Sequence, residues 1–183
     1  MPRNKPRLML ALYARPKHPG TYHYALFIAP RSGLGPTTKH HVKNTLQVDI
    51  AGQAAQPWRY EQTNIQDVTN EQRLLAQIVI AKVTSSLNRA QEILQTVPVY
   101  QVDDVDSPDG ANPFSCRTWV RDAFGELRKQ GALKPQTEDW EDVERKALEY
   151  LDKKRGQGRW ESTWKGGKGV PLIDLLEGIE LVK

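Results

Sequence analysis

The segment Asn112-Pro113-Phe114-Ser115-Cys116-Arg117-Thr118-Trp119-Val120-Arg121-Asp122-Ala123-Phe124 constrains the fold more than any other stretch of the chain. Pro113 blocks helix before it, and Ser115 is a residue type favoured at a helix N-cap. From there Cys116, Trp119, Val120, Ala123, Phe124 and Leu127 keep the spacing of one buried helical face. The spacing predicts a helix that begins at the cysteine and ends near Gly131. The single cysteine of the sequence therefore falls in a first helical turn. Unpaired backbone N–H groups and the positive end of the helix dipole favour the nucleophilic thiolate there. The same position also opens the apolar face, so a packing role fits a small free thiol equally well.

A helix with one apolar face needs a sheet or other helices to cover it. Upstream, Leu8 to Tyr13 reads as a buried strand between Pro6 and Pro16, followed by a turn at Pro16–Gly20. Tyr22 to Ala29 reads as a second strand ending at Pro30. A third spans Lys39 to Val48, with His41, Lys43 and Thr45 on one face and His40, Val42, Asn44 and Leu46 on the other. The short loop between the second and third makes an antiparallel hairpin the expected pairing. Trp58–Gln62 is a fourth strand. Leu74–Val83 carries both helix and strand signals and is taken as strand from about Leu75. Ser85 or Ser86 caps a helix that buries Leu87, Ala90, Ile93 and Leu94 and stops at Pro98. Val99–Val102 is a short extended piece, and Asp103–Gly110 an acidic loop. A further helix covers Glu138 to Lys154, starting at Thr137 or Glu138, and Pro171–Leu176 suits a short docking helix. The expected fold is α+β, an antiparallel sheet of about four to six strands packed on the cysteine helix. It forms one domain over residues 1–183 with a basic tail at about 1–6.

Composition narrows the function. No apolar run approaches the roughly 18 residues of a membrane span. One cysteine excludes an internal disulfide and a cysteine-based zinc cage, and the basic start carries no recognisable cleavage site. An intracellular location, cytoplasmic or nuclear, is the expectation. The net charge of +4 is mild and its cations are scattered among carboxylates, so nucleic acid is not favoured as a partner. Gly33-Leu34-Gly35 and Gly166-Gly167-Lys168-Gly169 complete no phosphate-loop pattern, so no cofactor is expected.

A thiol nucleophile needs an imidazole within hydrogen-bond reach and a third group to orient that imidazole. Of the four histidines, His18 lies in the Pro-rich turn and reads as a surface residue. His23 shares a face of the second strand with Ala25 and Phe27 and can serve as base, or simply as a hydrogen-bonded core residue. His41, His40 and Asn44 on the next strand are the candidates for the third group, because cross-strand neighbours approach within about 5 Å. Periodicity does not choose among them. His40 and His41 point to opposite faces, so no compact metal motif forms, although His23, Cys116 and one more histidine could hold zinc.

The order strand histidine, next-strand polar residue, cysteine at a helix start resembles the circularly permuted papain-like group. That group includes NlpC/P60-type, lecithin:retinol acyltransferase-like and PPPDE-type proteins. The likeness rests on Tyr22-His23-Tyr24-Ala25-Leu26-Phe27-Ile28, Lys39-His40-His41-Val42-Lys43-Asn44 and Ser115-Cys116-Arg117-Thr118-Trp119-Val120. The whole chain also resembles a family of uncharacterised fungal proteins with the same histidine strand and Cys-x-x-Trp-Val helix. The resemblance implies Cys116 as nucleophile, His23 as base and His41 as its orienting partner. Arg117-Thr118 stands where the acyltransferase-like branch has Glu-His-Phe, so lipid acyl transfer is not implied. The expected activity is a cysteine hydrolase or acyltransferase, peptidase-like, acting on an amide, isopeptide or thioester bond of a peptide, protein or acyl substrate. A silent binding module on the same fold is the alternative, with a weak nucleic-acid binder as a third.

Overall fold

A computed structural model describes residues 4–33, 35–101, 104, 113–134 and 138–183. The fold is α+β. Strands β1 (Arg7–Ala14), β2 (Tyr22–Ala29), β3 (Thr37–Lys43), β4 (Gln47–Val48), β5 (Ala54–Ala55), β6 (Arg59–Ile65) and β7 (Leu74–Lys82) come first. Helices α1 (Leu87–Thr96), α2 (Cys116–Lys129) and α3 (Trp140–Gly156) follow, and β8 (Leu172–Asp174) and β9 (Ile179–Val182) close the chain. One seven-stranded sheet has the order β6-β3-β2-β1-β7-β8-β9, and β4 pairs with β5 in a separate two-stranded ribbon.

β1 lies at the centre of the sheet because both its faces are apolar. Leu8, Leu10 and Leu12 point to the helical side with Leu26, Ile28, Ile78 and Ile80, where Trp119, Val120, Ala123, Phe124 and Leu127 of α2 cover them. Met9, Ala11 and Tyr13 point to the other side with Ala25, Phe27, Val79 and Leu172. The loop after β2 folds over this second face. Gly33 has φ +69°, and a Cβ there would come 2.3 Å from Leu172 Cδ2, so only glycine allows the approach. α2 is also fastened at its start: Arg117 Nε and Nη2 donate to Glu144 of α3 at 2.5 and 2.7 Å, and Tyr24 Oη donates to the same carboxylate at 2.8 Å. The residue beside the cysteine is thus tied to α3, and the cysteine helix to β2.

Several expectations are corrected. The sheet has seven strands, not four to six, and β7–β8 is a parallel pair. The segment expected as a docking helix, Pro171–Leu176, instead carries the strand β8, Leu172–Asp174. A short apolar run reads either way in sequence, and here the open edge of β7 settles it by hydrogen bonding along Gln77–Val79. The third strand starts at Thr37 and stops at Lys43, since the chain then leaves the sheet for β4 and β5. Leu87 is 46% exposed. α3 begins after the N-cap Asp139, whose side chain accepts from Asp142 N, and not at Glu138. Residues 99–101 form no strand; Val102, Thr137 and the acidic loop, apart from Asp104, lie outside the described residues.

Candidate active site

Ser115 caps α2 through a reciprocal pair, its Oγ accepting from Thr118 N at 3.3 Å and its N–H donating to Thr118 Oγ1 at 3.0 Å. Two of the first N–H groups are thereby satisfied, and those of Cys116 and Arg117 remain at the helix mouth beside the sulfur. Ser115→Ala is expected to lower stability by about 1 kcal/mol. The shift of the urea midpoint would measure it, and an unchanged midpoint would refute the role of the cap.

The sulfur occupies a gap in the sheet. β2 and β3 pair only at Leu26–His40, Phe27–Lys39 and Ile28–Thr38. Ala14 N donates to Arg73 O, on the β7 side of β1, at 2.8 Å. By alternation Leu12 also faces β7, so Tyr24, opposite Leu12, points its N–H away from β1 toward β3. The β2–β3 ladder has already ended there. Cys116 Sγ takes the vacant place, accepting from Tyr24 N at 3.5 Å. It lies beside the His23–Tyr24 peptide, and the His23 Cα is only about 2.4 Å from that nitrogen by covalent geometry. Although α2 covers one face of the sheet, Cys116 lines a cavity together with His23 and His41 of the other face. This cavity, of about 760 Å³, is also lined by Ser115, Tyr13 and Arg15.

On that face the histidines are linked. His23 Nε2 and His41 Nδ1 lie 2.8 Å apart, and His41 Nε2 is 3.1 Å from Glu61 Oε1. Glu61 sits directly opposite His41 in the β3–β6 register, and its other carboxylate oxygen pairs with Lys43. Lys43, then His41, hold the Glu61 carboxyl below its usual range, so it is ionised and can only accept. The network then assigns the protons. His41 Nε2 donates to Glu61, which leaves His41 Nδ1 as an acceptor, so His23 Nε2 donates to it. The lone pair of His23 is on Nδ1.

Burial, assisted by His41, Lys39 and Arg15, pushes His23 down to about 3, and burial with Lys39 lowers His41 against the pull of Glu61. Both imidazoles are neutral near pH 7. Burial raises the Cys116 thiol, while the Tyr24 N–H, the Arg15 charge and the helix N–H groups oppose it. Thiol and imidazole thus rest uncharged, and no hydrogen bond between them is present in this state. Catalytic hydrogen bonds commonly tighten only with substrate bound.

Of the candidates for the orienting group, the structure brings His41 to His23. His40 faces the core, with Nδ1 2.7 Å from Tyr60 Oη, and Asn44 stands at the cavity rim. His18 is exposed on that rim. Glu61 was missed by sequence reasoning; its one signal was a carboxylate within the expected fourth strand, Trp58–Gln62. Among the described residues no group of three or more His, Cys, Asp or Glu is placed to hold a metal ion, and no helix is long and apolar enough to cross a membrane.

The molecule is thus an α+β protein whose helix-borne cysteine and sheet-borne histidines open into one cavity. The chain belongs to a family of unknown function (DUF6914), whose model matches residues 5–182. No curated protein and no solved structure matches it.

Proposed function

We propose that the protein is a thiol hydrolase or acyltransferase of the permuted papain-like kind, with Cys116 as nucleophile and His23 as base. The observation that carries this reading is the chain Glu61–His41–His23, which leaves the lone pair of His23 on Nδ1, in a ring that lines one cavity with Cys116. His41 and Glu61 act as positioning residues, holding the ring and its tautomer. Cys116 passes its proton to His23 Nδ1 as Sγ attacks the carbonyl carbon of an amide, isopeptide or thioester. The Sγ–C bond forms, the bond to the leaving nitrogen or sulfur breaks, and His23 returns the proton to that atom. Water or a second acceptor then releases the acyl group, giving hydrolysis or transfer. The Cys116 N–H at the helix mouth donates to the developing oxyanion.

The burial of the thiol favours one other reading, a binding module on the same fold in which Cys116 only packs against β2. One measurement separates the two. An acyl thioester of N-acetylcysteamine is incubated with folded and urea-unfolded protein at pH 7.5, and intact mass follows acylation, with Cys116→Ala as the site control. Faster acylation of the folded chain supports the enzyme. A folded thiol no faster than the unfolded one defeats it and leaves the binding module.

A further inference from the structure

Among the described residues, the cavity that Cys116 and His23 line is one-sided in charge: Arg15, Lys17, Lys43 and Arg73 line it, and no described Asp or Glu does. Lys43 is spent on Glu61, which lies behind the lining. Arg15 has only the Thr21 hydroxyl, at 3.5 Å, as hydrogen-bond partner, and no ion pair is formed by Arg15, Lys17 or Arg73 among the described residues. Elsewhere the chain pairs its cations freely, as in Arg145 with Asp142 and Glu149, or Arg155 with Asp152. Arg73 is held at the rim in a left-handed conformation, φ 67°, by its carbonyl bond from Ala14 N. Three cations with no ion pair among the described residues, and a helix N-terminus, around one cavity create a positive potential that concentrates anions.

We propose that the substrate of this site is an acyl compound carrying a carboxylate a few bonds from the scissile carbonyl. The proposal rests on the thiol-enzyme reading and supplies its substrate class. Arg15 and Lys17, on the turn after β1, contact the carboxylate, and Arg73, whose carbonyl accepts from Ala14 N beside Arg15, adds a third cation. Arg15 lines the same cavity as Cys116 and His23, and its charge lowers the pKa of both. Binding the anion offsets the cation pressure on His23 and so strengthens the base when substrate is present. The chemical step is that already given: Sγ–C forms, the leaving bond breaks, and the thiol proton travels through His23 to the leaving atom.

The test compares four thioesters of matched size. The butyryl thioester of N-acetylcysteamine is neutral, and its glutaryl analogue carries the carboxylate on the acyl side. The butyryl thioester of 3-mercaptopropionate carries it on the leaving side, and a 4-aminobutyryl thioester is cationic. One anionic probe is expected to exceed the neutral one at least tenfold in kcat/KM, and the better of the two tells which side bears the charge. The advantage should shrink in 0.5 M NaCl and collapse toward unity in Arg15→Gln/Lys17→Gln, read as the anionic-to-neutral ratio within each variant. Equal rates for anionic and neutral probes overturn the proposal while leaving the enzyme standing. If no probe acylates Cys116, the enzyme reading fails, and the anion site is then read by binding. Glutarate should shift the His23 and His41 ring resonances of wild type but not of the double variant; no shift overturns it.

Discussion

His23→Ala is expected to slow acylation of Cys116 by about 10²- to 10⁴-fold, the span that general-base assistance contributes. The size follows from the resting state. Burial leaves Cys116 protonated, so attack without a base must wait for rare ionisation of a covered thiol. The Glu61–His41 chain leaves the lone pair of His23 on Nδ1, and His23 lines the cavity with Cys116. Alanine would also strip His41 Nδ1 of its donor, so a second variant is needed. His23→Gln keeps an N–H toward His41 while removing the base, and it should lose as much rate as alanine. Single-turnover acylation measures both, and added imidazole should restore part of the alanine rate. Full activity in His23→Gln would remove His23 from the chemistry.

The legible parts of this molecule are those written in local chemistry. β2 runs from Tyr22 to Ala29 as its aromatic and branched residues and Pro30 require, and α2 begins one residue after Ser115. Local pattern likewise makes Cys116 and His23 candidates, whereas it leaves His41, His40 and Asn44 open as the third group, and only the resemblance implies His41. What stayed hidden depends on distant partners. Glu61 acquires a role only through the His41–Glu61 register, and no local pattern encodes which residue of β6 faces which of β3. β8 is a strand because β7 offers it an edge. The early end of the β2–β3 ladder leaves Tyr24 N to the thiol, and it arises from three elements meeting at Tyr24. The cationic lining was hidden likewise, since Arg15 and Arg73 are far apart in sequence and meet only through the pairing of β1 with β7.

Lowering the pH from 7 to 5 is expected to cost the fold several kcal/mol of stability, before carboxylates in their ordinary range titrate. His40 is completely buried, its Nδ1 2.7 Å from Tyr60 Oη and its Nε2 without a partner among the described residues. A proton on it would bury a charge that nothing offsets. Burial, then the neighbouring His41, pushes it down to about 4, and His23 and His41 are lowered too. In the unfolded chain all three return to about 6.5. Between those values the unfolded state binds more protons than the folded one, so stability rises with pH. It is fully present above about 6.5 and is lost as pH falls toward 4, each imidazole contributing a slope of up to about 1.4 kcal/mol per pH unit. The carboxyl of Glu61, held down by Lys43, acts in the same direction but only below its own ordinary range, so the window from 6.5 to 5 belongs to the histidines. Urea unfolding at half-unit steps of pH gives the proton uptake directly. Wild type should take up between one and about three protons on unfolding near pH 5.5. His40→Gln should lower that number by about one whatever it does to absolute stability. A flat stability between pH 7 and 5 would mean that water or a structural opening reaches these rings, and would remove the reason for treating His23 as neutral at the cavity.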